Sequence, residues 1–93
     1  MERGWEARDF EWDDANEEHI ARHGVKPSEA EEVFLGRPHI KRGRWGRYFV
    51  LGQTAAGRFL ALAVERKEGG ILRVVMARDM SMREARSYKN RRK

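Results

Sequence analysis

The side chains of this sequence best suited to chemistry are cations and aromatics. Arg47, Arg66 and Arg73 fall in three segments that read as neighbouring strands, with Trp45 just ahead of the first. An arginine fork grips a phosphate through two parallel hydrogen bonds and stacks on bases, so three of them side by side would clamp a phosphodiester. Trp45 or Tyr48 would supply a stacking ring, and Arg44 and Arg78 would be further contacts to the same polyanion. Reaction at that ester also needs proton transfer, for which the candidates are His23, Tyr48, Glu65 and Tyr88, with Arg66, Arg73 and Arg78 facing the charge that develops.

Other groupings carry less. His19 and His23 stand four apart on a helical segment, a spacing that can hold a metal, but Ile20 occupies the position where a zincin carries glutamate. They read as hydrogen-bonded structural histidines or as proton carriers, and no metal or other cofactor is expected. Asp13-Asp14 reads as a helix cap. Glu65 is either a base or an ion-pair partner of Arg78 or Lys67. There is no phosphate-cradling glycine loop and no G-x-S-x-G elbow.

The elements that must position these groups are legible in the pattern. Asp9-Phe10-Glu11-Trp12 alternates like a short strand. A helix is expected over 15–23, with Asn16, His19, Ile20 and His23 inward and Gly24 as its stop. A second is expected over 27–35, begun by Pro27 with a Ser28–Glu31 capping box and ended by Gly36. Strands follow over 39–42, 47–53, 58–66 and 71–78, and a last helix starts at the Ser81–Glu84 capping box with Ala85 and Tyr88 inward. The fold class is α+β: two N-terminal helices and one C-terminal helix on an antiparallel sheet of three to four strands. Residues 1–8 read as a loose leader, 9–90 as a single domain and 91–93 as a basic tail.

Two-residue turns at Ala55-Ala56 and Gly69-Gly70 would set the register. Phe49, Leu51, Leu60, Leu62, Val64, Ile71 and Val75 then share the core face. Arg66 lies opposite Arg73 and Arg47 opposite Val64, so the three arginines converge at one end of that face. They either splay into solvent or hold an anion, since like charges directly opposed are otherwise destabilising. The other face, with Ala61, Ala63, Val74 and Arg78, is expected under the last helix or a partner.

Charge distribution supports the polyanion reading. Of 93 residues, 20 are Lys or Arg and 15 Asp or Glu, a net charge of +5. Residues 1–36 hold four basic and eleven acidic side chains, a balance of −7; residues 37–93 hold sixteen and four, a balance of +12. Such clustering is the electrostatic footprint of a nucleic-acid binder. Cysteine is absent, which excludes thiolate chemistry and fits a cytoplasmic setting; no apolar run suits a membrane span.

Several segments together resemble the BrnT-type toxins. In the first half they are Phe10-Glu11-Trp12-Asp13, His23-Gly24-Val25 and Glu29-Ala30-Glu31-Glu32-Val33-Phe34. In the second they are Gly52 with Gly57-Arg58-Phe59-Leu60, Arg73-Val74-Val75-Met76-Ala77-Arg78 and Arg83-Glu84-Ala85-Arg86-Ser87-Tyr88. The likeness spans about residues 10–88. Asn16 and Arg22 stand where many members carry lysine, and Met76 where the family has serine. The resemblance implies a RelE-like fold and a toxin that cleaves RNA. It further implies a cognate antitoxin with a ribbon-helix-helix part that reaches DNA on the toxin's behalf, in a hetero-oligomer or alongside a homodimer. It assigns no catalytic residue. The alternative is a catalytically inactive nucleic-acid-binding or corepressor module acting with the antitoxin.

Overall fold

A computed structural model describes residues 9–91; the expected leader at 1–8 and the last two residues of the tail lie outside that range. The element order is β1 (Asp9–Phe10), α1 (Asp14–Ala21), α2 (Pro27–Leu35), β2 (His39–Arg42), β3 (Arg47–Gln53), β4 (Phe59–Lys67), β5 (Ile71–Asp79) and α3 (Met82–Arg91). The strands form one sheet in the order β1-β5-β4-β3-β2. It has five strands, not three to four, and is mixed, because β1 pairs in parallel with β5. A two-residue strand that pairs with the last strand of the chain leaves no local signal of its direction.

Local chemistry starts each helix. Asp13 caps α1 by accepting from Asn16 N at 3.1 Å, while Asn16 Oδ1 accepts from Asp13 N at 2.8 Å. Asn16 is buried, and its amide donates to the carbonyls of Glu11 and Val74, tying α1 to β5. α1 ends at Ala21, two residues earlier than expected; His19 within it and His23 beyond it are both exposed, and only Asn16 and Ile20 of the helix are buried. At α2 the reciprocal carboxylate is Glu29, which accepts from Lys26 N at 3.0 Å, rather than Glu31, which accepts from Trp12 Nε1. The Ser81–Glu84 box opens α3 as expected.

All three hairpin loops hold three residues. Gly43 faces Arg47 across Arg44-Trp45-Gly46, Thr54 faces Arg58 across Ala55-Ala56-Gly57, and Lys67 faces Ile71 across Glu68-Gly69-Gly70. Each ends in a glycine with positive φ, the geometry of a turn closed by a left-handed residue. One residue more than a two-residue turn shifts the register by one, and one step inverts a strand. β3 therefore presents Val50 inward with Tyr48 half-buried, in place of Phe49 and Leu51. β5 presents Leu72 and Val74 in place of Ile71 and Val75. β4 keeps Leu60, Leu62 and Val64 in the core, and an irregularity at Ala63/Val64 restores the expected pairing from Met76 onward.

The core lies between this face and α1 and α2, with Ile20, Val25, Ala30 and Val33 fully packed against the strands. Gly52 permits that approach, since a Cβ there would collide with Val33 Cγ1. Tyr88 of α3 packs on the other face with Leu51 and Ala61 and the half-buried Phe49, Phe59 and Met80. Among the described residues, α3 covers one end of that second face and no other helix packs on the rest.

Candidate nucleic-acid interface

Residues paired across strands point to the same side of a sheet, so the pairings define rows on the face that α3 half covers. His39, Leu51, Ala61 and Arg78 make one row, and Lys41, Phe49, Ala63 and Met76 the next. Arg47, Glu65 and Arg73 make a third. Rows are two residues apart along a strand, about 7 Å. The open part of the face is thus a floor of Phe49, Ala63 and Met76 with charged side chains on both sides.

The third row corrects the expected arginine cluster. Glu65 stands between Arg47 and Arg73, and its carboxylate lies 3.4 Å from Arg47 Nε. The repulsion expected between directly opposed arginines does not arise. Arg73 is 18% exposed and donates to Asp13 at 2.8 Å and to Glu11 at 3.4 Å. That hydrogen bond to Arg73 holds the Asp13 carboxyl below its ordinary range, helped by the Asn16 N–H, and the guanidinium rises in return. Lys67 reaches Glu11 at 3.1 Å. Arg66 pairs opposite Leu72 and belongs to the other face, so it cannot join Arg47 and Arg73 in one clamp.

A cleft of about 200 Å³ opens between α3 and the first two rows. Its lining includes His39, Lys41 and Phe49 from the sheet and Arg83, Glu84, Ser87 and Arg91 from α3. α3 presents Arg83, Ser87 and Arg91 here because they lie four residues apart, on one side of a helix. Glu84 is engaged elsewhere: it takes both amino groups of Arg78, at 2.7 and 3.0 Å, and that pairing draws its pKa down to about 2. Lys41, Arg83 and Arg91 have no acidic partner among the described residues. Among the described residues, they line the cleft without a compensating carboxylate. Among the described residues no three acidic, histidine or cysteine side chains are grouped to hold a metal.

His39 is the residue sequence reasoning passed over. Its ring packs against Tyr88 at a tilt of 56°, with centroids 4.9 Å apart. Its Nδ1 is buried without a hydrogen-bond partner, and burial, then Arg91 and Lys41, push its pKa down. In the sequence it was only the first residue of an edge strand; nothing local signals the helix that closes over it.

The other candidates scatter. His23 is remote from Arg73: its carbonyl accepts from Arg58, which also binds Glu29 at 3.1 Å and Asp79 at 2.8 Å. Asp79 is six strand positions, roughly 20 Å, from Arg73. Tyr88 is buried and its hydroxyl donates to the Arg37 carbonyl at 3.2 Å, a structural role. Tyr48 lies on the helix-covered face beneath Arg42, whose guanidinium sits 5.8 Å from the ring centre. Arg44 and Trp45 are exposed in the β2–β3 loop beside Arg47; Trp45 is 84% exposed and holds a left-handed φ of 57°.

Comparison with known proteins agrees with this architecture. No curated protein matches the chain in sequence. The crystal structure of the Brucella abortus ribonuclease toxin BrnT superposes with a TM-score of 0.67 at 21% identity, over 80% of this chain and 97% of that one. The two share a fold. Residues 12–84 match the family described as the ribonuclease toxin BrnT of type II toxin–antitoxin systems. With most of its length matched, from just before α1 through the first turn of α3, the chain belongs to the BrnT family of ribonuclease toxins of type II toxin–antitoxin systems.

Proposed function

We propose that this chain is a metal-independent endoribonuclease that lays single-stranded RNA across the open sheet face beside α3. One observation carries the reading: Lys41, Arg83 and Arg91 surround an apolar floor with no acidic partner among the described residues. Cations left uncompensated around a groove attract a polyanion, and Phe49 offers a ring at its base. The reaction is attack of a 2′-hydroxyl on the adjacent phosphate, with cations stabilising the charge that grows on the phosphoryl oxygens. Arg47 and Arg73 flank the same face and extend the path of the strand, with Arg44 and Trp45 at its edge. Arg66 is withdrawn from the clamp because it occupies the opposite face.

A toxin of this kind needs an antitoxin that binds it tightly enough to keep the free form scarce. The resemblance supports a ribbon-helix-helix antitoxin, a hetero-oligomer with it, DNA contact through it and a cytoplasmic site of action. No helix among the described residues is long and apolar enough to cross a membrane. The test is pure protein incubated with RNA in EDTA. Defined cuts are expected; a gel shift without cuts would replace the nuclease by a binding module, and the absence of both would remove RNA from the account.

A further inference from the structure

We infer that His39 is the general base of this site, drawing the proton from the RNA 2′-hydroxyl, with Lys41 as the acid that serves the departing oxygen. The assignment rests on the reading above that RNA is cleaved in the α3 cleft, and it gives that cleft its chemistry. His39 and Lys41 alternate onto the same side of β2 and both line the cleft. Their α-carbons are about 7 Å apart, so a phosphodiester placed between them has one group at each end.

The imidazole is placed but not used. A histidine kept for structure normally spends its nitrogens on hydrogen bonds. Here Nδ1 has no partner, and no hydrogen bond among the described residues holds Nε2 either. The tilted contact with Tyr88 packs the ring without using either nitrogen in a hydrogen bond. The groups that face it are Lys41 on its own strand, Phe49 and Leu51 from β3, and Tyr88, Arg83, Glu84 and Arg91 from α3. Glu84 is bound to Arg78, so burial and the two nearest cations, Arg91 and Lys41, prevail and keep the imidazole neutral at neutral pH. A neutral imidazole is the form that accepts a proton.

The step balances without a cofactor. The O2′–H bond breaks and its proton passes to Nε2 of His39, since Nδ1 is sealed from solvent. The O2′–P bond forms, the P–O5′ bond breaks, and the O5′ takes a proton from the Lys41 ammonium. The products are a 2′,3′-cyclic phosphate and a free 5′-hydroxyl; His39 then releases its proton to water and Lys41 regains one.

The experiment compares wild type with His39→Gln in EDTA, reading the rate of cutting, the chemistry of the new ends, RNA affinity and thermal melting. The expected result is a loss of about 100- to 10,000-fold in cutting with affinity and melting unchanged. Cutting by His39→Gln within a few-fold of wild type would overturn the assignment and leave the nuclease reading standing; failure of wild type to cut would overturn both. Should the variant fail to fold, the wild-type pH profile decides. The expected acid limb has a midpoint below 6.5, the ordinary histidine value, matching the His39 titration followed by NMR. A flat profile there would overturn the assignment.

Discussion

Salt is the sharpest probe of which face holds RNA. Three cations of the α3 cleft, Lys41, Arg83 and Arg91, have no acidic partner among the described residues, whereas Arg47 is shared with Glu65 at 3.4 Å and Arg73 with Asp13 at 2.8 Å. Each phosphate contact to a single strand contributes about −0.7 to the slope of log affinity against log salt. Three contacts give a slope of about −2.1, so raising salt from about 50 to 200 mM weakens binding about 20-fold; a fourth through Arg47 makes that about 50-fold. Lys41→Ala with Arg91→Ala removes two contacts and brings the slope to between about −0.7 and −1.4. Arg66→Ala, on the helix-covered side, leaves it unchanged. The assay is fluorescence anisotropy with a labelled, 2′-O-methyl single strand that cannot be cut. A double variant with the wild-type slope, or an Arg66→Ala slope as shallow as the double variant's, would refute the placement of RNA on the open face.

Two predictions concern the scaffold. Gly52→Ala should destabilise by about 1–3 kcal/mol, lowering Tm by about 4–8 °C for each, because the new methyl meets Val33, whose branched side chain has little freedom to turn away; an unchanged Tm would mean that α2 can retreat from β3 at no cost. Glu84 is held at about 2 by Arg78, below its ordinary 4.5, so the unfolded chain binds the extra proton; the stabilisation is complete above about pH 4.5 and fades as pH falls towards 2. Glu84→Gln should cost on the order of 1–2 kcal/mol at neutral pH, after allowing for partial exposure, and should flatten the acid limb of stability measured by urea unfolding.

The elements of the fold were written in the chain, because each is marked by local chemistry. Pro27 and Gly36 bracket α2, Ser81 and Glu84 open α3, and alternating apolar residues mark β3 to β5. What the chain does not display is how many residues a turn spends. Gly57 and Gly70 were visible as turn residues, but whether they close two-residue or three-residue loops depends on the backbone of the residues before them. That single residue decides which side of the sheet β3 and the start of β5 present.

The consequence reaches function directly. With two-residue loops, Arg66 and Arg73 oppose each other and the natural site is an arginine cluster at the end of the core face. With three-residue loops, Arg66 stays on the core side under α1 and α2 while Arg47 and Arg73 turn to the other side, where Glu65 stands between them and the row neutralises itself. Among the described residues the cleft's uncompensated charge is then left to Lys41, Arg83 and Arg91; Lys41 is more than forty positions in sequence from the other two and meets them only because Tyr88 anchors α3 across the sheet. The same anchor packs at a tilt against His39 and leaves its nitrogens without hydrogen bonds. Packing that looks purely structural, a buried tyrosine donating to the Arg37 carbonyl, is thus what turns an edge-strand histidine and scattered cations into a site.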